Sequence, residues 1–139
     1  MHFKQGDLFW GMSKTFVQEA METSEKLSCD EGDFLFHEGD NADHFFILIK
    51  GRVLLSRGKG GSTVHMARHS GELIGWSTLT GRESFSASAT CQEPSSLLSF
   101  ERDRFLRILD KDAGNAAILY RRLAETLGER LVSLYPATV

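Results

Sequence analysis

Between Leu27 and Phe100 the apolar residues come in short runs: Phe34 to Phe36, Phe45 to Ile49, Val53 to Leu55, Val64 to Ala67 and Ser96 to Phe100. Glycine or Asx punctuation separates them at Gly32, Gly39-Asp40, Gly51, Gly58 with Gly60-Gly61, and Gly71. Runs this short and closely spaced leave no room for crossover helices, so the pattern predicts antiparallel strands closed into a barrel or jelly roll. Outside the roll the period becomes helical. Phe16, Val17, Ala20 and Met21 recur at helical spacing behind a capping Ser13, which predicts a helix to about Glu22. Phe105, Leu106, Ile108 and Leu109 mark a second helix over 102–109, and Asp110 or Asp112 can cap a third running to about Leu134.

The expected fold is therefore mainly β with flanking helices. It is an antiparallel double-stranded β-helix, or jelly roll, with an N-terminal helix and two C-terminal helices. One domain is expected over 1–139, with the roll at 24–100 and the C-terminal helices at 102–135. On the last helix Tyr120, Ala124, Leu127, Leu131 and Leu134 recur in steps of four and three, the period of a helix–helix seam, which predicts a homodimer through that helix. The alternative is that the stripe packs on its own barrel. Gly128 within the helix costs about 1 kcal/mol against alanine unless a close crossing compensates.

Composition narrows the function classes. A chain of 139 residues with 41% hydrophobic and 25% charged residues suits a single globular domain. The net charge of -3 and the lack of a long basic run argue against a protein built to neutralise nucleic-acid phosphates. Cys29 and Cys91 form no C-x-x-C pair and read as reduced core thiols. No apolar run reaches membrane-spanning length, so the expected location is cytoplasmic, with no membrane partner.

Catalytic and metal chemistry find little support. His65 and His69, four apart on a strand and turn, would stand ~13 Å apart, too far to share a metal. No H-x-H pair accompanies His37 or His44, so no metal or other cofactor is expected. Ser77, Ser84, Ser86 and Ser88 lie in no nucleophile elbow. The acidic group Asp30, Glu31 and Asp33 reads as a solvated turn. The chain is expected not to be an enzyme.

The stretch with chemical content is Gly71-Glu72-Leu73-Ile74-Gly75-Trp76-Ser77-Thr78-Leu79-Thr80-Gly81-Arg82-Glu83-Ser84-Phe85-Ser86-Ala87, whose glycines let backbone amides approach an anion. Together with the run 32–40, the run 45–53 and the order of elements, it resembles the cyclic nucleotide-binding domain family, which includes the sensor halves of catabolite activator-type regulators. The resemblance covers nearly the whole chain. It implies that Glu72, after Gly71, accepts from a ribose 2′-hydroxyl, and that the turn at Leu73 and Gly75 brings amides to the cyclic phosphate. It also places the family's phosphate-pairing arginine at Phe85, followed by Ser86 and Ala87.

That arginine is absent, and Arg82 is the outside candidate for its role. Trp76 stands where the family often carries an acidic residue, and is expected to plug the pocket or pack in the core. The expected ligand-binding set is thus Gly71, Glu72, Leu73, Gly75, Arg82, Phe85, Ser86 and Ala87. The expected function is a standalone sensor or regulatory domain for cAMP, cGMP or a related anion, of altered or weak affinity because Phe85 replaces the arginine. The alternative is a degenerate interaction or dimerisation module that binds no nucleotide. Only Tyr135 to Val139 follow the long helix, so no DNA-binding module is expected in this chain. On this reading Glu72→Ala weakens nucleotide binding and Phe85→Arg strengthens it.

Overall fold

The computed structural model describes Phe3 and residues 7–136. The ends of the domain expected over 1–139, including the last three residues of the tail, lie outside that range. Helix α1 (Lys14–Thr23) leads into strands β1 (Glu25–Cys29), β2 (Phe34–Phe36), β3 (His44–Lys50), β4 (Val53–Arg57), β5 (Ser62–Ala67) and β6 (Leu73–Ile74). A 3-10 turn (Trp76–Leu79), β7 (Ser88–Cys91), β8 (Ser95–Glu101) and helices α2 (Arg102–Leu109) and α3 (Ala113–Ser133) follow. Two four-stranded antiparallel sheets, ordered β1-β8-β3-β6 and β2-β7-β4-β5, face each other as a jelly roll.

Strand β3 explains the arrangement. Its sequence His-Phe-Phe-Ile-Leu-Ile-Lys does not alternate with polar residues because both faces are covered. Phe46 and Leu48 point between the sheets, where they meet Phe36, Val53, Leu97 and Phe85. Phe45 and Ile47 point outward into a second core closed by α1, α2 and α3. There Phe45 stacks on Phe100 at 4.8 Å between ring centres and meets Phe105 edge-on at 4.8 Å. The roll thus carries a third layer, of helices, on that side, and the helices are part of the fold.

The caps set the helix ends. Ser13 accepts from the Phe16 amide at the start of α1, and Asp112 accepts from the Gly114 and Asn115 amides at the start of α3. Asn115 is 95% buried and joins the two ends. Its Oδ1 accepts from the Ser13 amide at 3.1 Å, and its Nδ2 donates to Ser13 Oγ at 3.0 Å and Asp112 Oδ2 at 3.1 Å. Asn115→Ala removes three part-buried hydrogen bonds that tie the start of α1 to the start of α3, and is expected to cost about 2 kcal/mol, read as a drop in the urea unfolding midpoint at unchanged slope.

Strands β1, β6 and β7 were not among the runs marked by hydrophobicity. β6 has two residues, β7 is Ser-Ala-Thr-Cys, and β1 is largely exposed, so none carries enough apolar side chains to stand out. Fold brings the two cysteines together from distant positions in sequence. Both are free and buried; burial pushes the Cys91 thiol up to about 12 and raises Cys29 as well. Among the described residues nothing lies within 4 Å of where a Cβ on Gly128 would stand, so no crossing with them offsets its helix cost.

Candidate functional site

The segment from Gly71 to Ala87 supplies strand β6 and the 3-10 turn of the roll, and its backbone decides which side chains face α3 and which face the core. Gly71 is buried at φ 95°, and a Cβ there would stand 2.5 Å from the Asp7 carboxylate. The next residue, Glu72, turns back toward the end of β5. Its Oε1 accepts from His65 Nε2 at 2.9 Å, and its Oε2 accepts from the Arg68 and His69 amides at 2.6 and 2.8 Å. Because a carboxylate only accepts, the His65 proton in this bond sits on Nε2.

Burial pushes the Glu72 carboxyl up, but the bonds from His65, His69 and Arg68 and the charge on His65 outweigh it and hold the pKa at about 2. Glu72 is therefore ionised at any physiological pH, with three hydrogen bonds from its own chain.

Gly75 opens the 3-10 turn at φ 88°. A Cβ on it would stand 3.2 Å from the Phe85 ring, so glycine here leaves room for that ring. Phe85 is buried, and its ring stacks on Phe36 with centres 3.7 Å apart and planes 12° from parallel. Its backbone is pinned on both sides: the Phe85 amide donates to Asp40 O at 2.9 Å, and the Gly39 amide donates to Phe85 O at 3.0 Å. Phe85 thereby belongs to the core between the sheets. Ser86 and Ala87 follow it onto the wall of a cavity.

That cavity, of about 510 Å3, lies between the roll and the C-terminal half of α3, a volume in the range of small-molecule sites. Leu55 and Arg57 of β4, and Val64 and His65 of β5, form one wall. Trp76, Arg82, Ser86 and Ala87 form a second, and Leu127, Arg130, Leu131 and Leu134 of α3 close the third. Three arginines and a histidine line it, and no carboxylate does. In a chain of net charge -3 this is a local reversal of sign that favours an anion. The apolar remainder suits a ligand with a flat or hydrocarbon body.

A smaller cleft of about 190 Å3 adjoins it, lined by Asp7, Gly71, Glu72, Leu73, Thr126 and Glu129 among others, and shares His65 and Arg130 with the cavity. Arg130 spans the boundary. Its Nη2 donates to the Leu73 carbonyl, while its Nη1 is buried with no hydrogen-bond partner. Burial lowers its pKa from the ordinary value, against the opposing effect of the Glu72 charge.

Of the residues marked in the sequence, Arg82, Ser86 and Ala87 line the cavity, and Gly71, Glu72 and Leu73 line the cleft behind it. Gly75 and Phe85 are buried beneath the wall. Trp76 lines the cavity and packs in part on the helix-side core. Sequence reasoning missed Arg57 and Arg130, and weighed His65 only as a metal ligand. The available signal for Arg130 was a lone cation within the stripe Leu127, Leu131 and Leu134. Tyr120, Leu131 and Leu134 of the proposed seam are exposed in the single chain, and the latter two form the mouth of the cavity. Among the described residues no group of histidine, cysteine or acidic side chains is placed to hold a metal, and no helix is long and apolar enough to cross a membrane.

Comparison with known proteins agrees with this geometry. The chain is 31% identical over 128 residues to the cyclic AMP receptor protein of Thermus thermophilus, across 88% of its own length and 59% of the relative's. It thus spans about three fifths of that relative. Among solved structures, a cyclic nucleotide-binding protein from Geobacter metallireducens superimposes with a TM-score of 0.79 at 22% identity, over 89% of this chain and 91% of that one. The sensor domain of the transcriptional regulator DNR from Pseudomonas aeruginosa gives 0.74 at 24% identity, over 95% and 90%. The roll, the glycine-rich segment facing a long helix and the match of the cyclic nucleotide-binding domain pattern to residues 26–112 place this chain in the cyclic nucleotide-binding domain family.

Proposed function

We propose that the chain is a sensor or regulatory domain, with no catalytic activity of its own, that binds a small anion with an apolar body between the roll and α3. The cavity lined by Arg57, Arg82, Arg130 and His65 without a carboxylate carries this reading. cAMP and cGMP are the first ligands to test. Arg82, Ser86 and Ala87 are proposed as direct contacts. Gly71, Glu72, Leu73 and Gly75 act from behind, with Glu72 fixing the His65 ring, and Phe85 shapes the wall from the core.

Affinity is expected to be weak for this family. A charge-assisted hydrogen bond at the position of Phe85 would be worth about 1.5–3 kcal/mol, so its absence corresponds to one to two orders of magnitude in binding. Calorimetry with cAMP and cGMP is expected to show saturable binding accompanied by a rise in Tm. Neither heat nor a change in Tm at roughly millimolar nucleotide would reject cyclic nucleotides as ligands.

The burial of Phe85 favours a second reading, an interaction module of the same fold that has given up the nucleotide. Exposed Leu131, Val132, Leu134 and Tyr135 at the end of α3 would then pair two copies. Sedimentation equilibrium separates the two. A constitutive dimer that takes up no nucleotide supports the second reading, and a nucleotide-dependent change in mass or Tm supports the first. A free cyclic nucleotide would be met in the cytoplasm, where such a sensor is proposed to act.

A further inference from the structure

We infer that Arg130 on α3 is the residue that binds the ligand's negatively charged group, so the anion is held by the closing helix rather than by the glycine-rich segment. This rests on the proposed ligand cavity and deepens it by naming the anchor. Three cationic arginines compete for the role. Arg57 is exposed and lies 3.8 Å from Glu38 of the neighbouring turn. Arg82 is an exposed loop residue with long side-chain freedom to lose. Arg130 differs from both: it is half-buried, one guanidinium nitrogen is fixed on the Leu73 carbonyl, Nη1 is buried without a partner, and its side chain lines both hollows.

An unpaired N–H on a buried cation is costly and uncommon in a folded protein. An anionic oxygen in the cavity would satisfy it once the guanidinium turns to bring Nη1 to the cavity surface. Hydrogen bonds from a held, partly desolvated guanidinium are stronger than those from a solvated one, so the ligand gains most at Arg130. Glu72 does not fill the gap, because its carboxylate is taken by His65 and the amides of Arg68 and His69. Leu127 and Leu134 lie three residues before and four after Arg130 on its own side of α3, and Leu131 lines the same cavity from the adjoining side. The ligand class that fits is a phosphate, sulfonate or carboxylate attached to an apolar or aromatic body.

Because the charge sits on α3, occupancy ties the last two turns of the helix to the roll. The test uses the whole chain and two fluorescent probes of similar body, anilinonaphthalene sulfonate and the uncharged N-phenylnaphthylamine. The protein is expected to prefer the sulfonate by about tenfold or more, and Arg130→Gln to erase that preference while Lys59→Gln, at the β4–β5 hairpin tip, retains it. A preference that survives Arg130→Gln, or is lost only in Arg82→Gln, overturns the inference, as does an absence of preference in the unaltered chain.

Should Arg130→Gln fail to fold, hydrogen exchange in the unaltered protein decides: the sulfonate, and not the neutral probe, should slow exchange across 126–134, and unchanged exchange overturns the assignment. Failure of cAMP and cGMP to bind would reject the nucleotide reading and leave the probe comparison standing. Nucleotide binding that is unaffected by Arg130→Gln would reject the anchor alone.

Discussion

Phe85→Arg is expected to destabilise the protein by about 3–5 kcal/mol and to leave nucleotide affinity no higher. The aligned position in sequence suggests that an arginine here would restore a phosphate contact, but the ring lies 95% buried against Phe36, and the backbone on both sides of it is tied to Gly39 and Asp40. A guanidinium at this place loses the stack and must either stay charged among Phe36, Phe46 and Leu55 or distort the segment to escape. The void near Gly75 is too small for an alternative path, since a single Cβ on that glycine would already crowd the ring. Urea unfolding followed by far-ultraviolet circular dichroism measures the loss. A Phe85→Arg protein as stable as the parent, with tighter cAMP binding, would show that the side chain at 85 reaches the cavity after all.

Glu72→Gln is expected to cost about 3 kcal/mol at pH 7, and this cost should fade in acid. Folding lowers the carboxyl from 4.5 to about 2. A group whose pKa falls on folding stabilises the native state above its unfolded pKa, and that contribution is lost as pH drops from about 4.5 to about 2. The oxygen of Gln can keep both the Arg68 and the His69 amide bonds, which share one carboxylate oxygen, but its NH2 then faces the Nε2–H of His65 and that third bond is lost in the tautomer the carboxylate selects. Unfolding free energies of the two proteins should therefore differ most at neutral pH and converge as the pH falls through about 2. A difference that stays constant across that range would mean that the carboxylate charge is not what stabilises this turn. Because His65 loses its partner in the same substitution, the β5 wall of the cavity should loosen as well.

The elements that were readable in the sequence are those whose cause is local. Ser13 and Asp112 are caps because of the residues next to them, and the run from Phe45 to Ile49 is apolar because both faces of β3 are covered. The bounds of α2 likewise follow from its own period. The direction of Phe85 is a different matter. It depends on which strand-like segment pairs with 83–85, and the partner at 39–42 is remote in sequence and carries no apolar signal. Glu72 was recognisable as a charged residue in a glycine-rich turn, yet its partners come from the end of β5, and only the fold reveals that it faces its own chain. Arg130 was passed over beside the stripe Leu127, Leu131 and Leu134, because a stripe at steps of three and four has the same period whether it faces a second helix or a cavity.

Asn115 gives α3 the mechanics of a cantilever. Asn115, Leu119 and Leu123 are buried and clamp its first half to the body of the domain, whereas beyond Gly128 the helix rests only on the cavity and on one arginine. From Leu123 to Leu134 the free arm measures about 16 Å, so a tilt of about 5° at the clamp carries the tip some 1.4 Å, about the rise of one residue along the helix. A ligand needs only a small local adjustment near Arg130 for the far end of the helix to be displaced by a distance that a neighbouring surface can read.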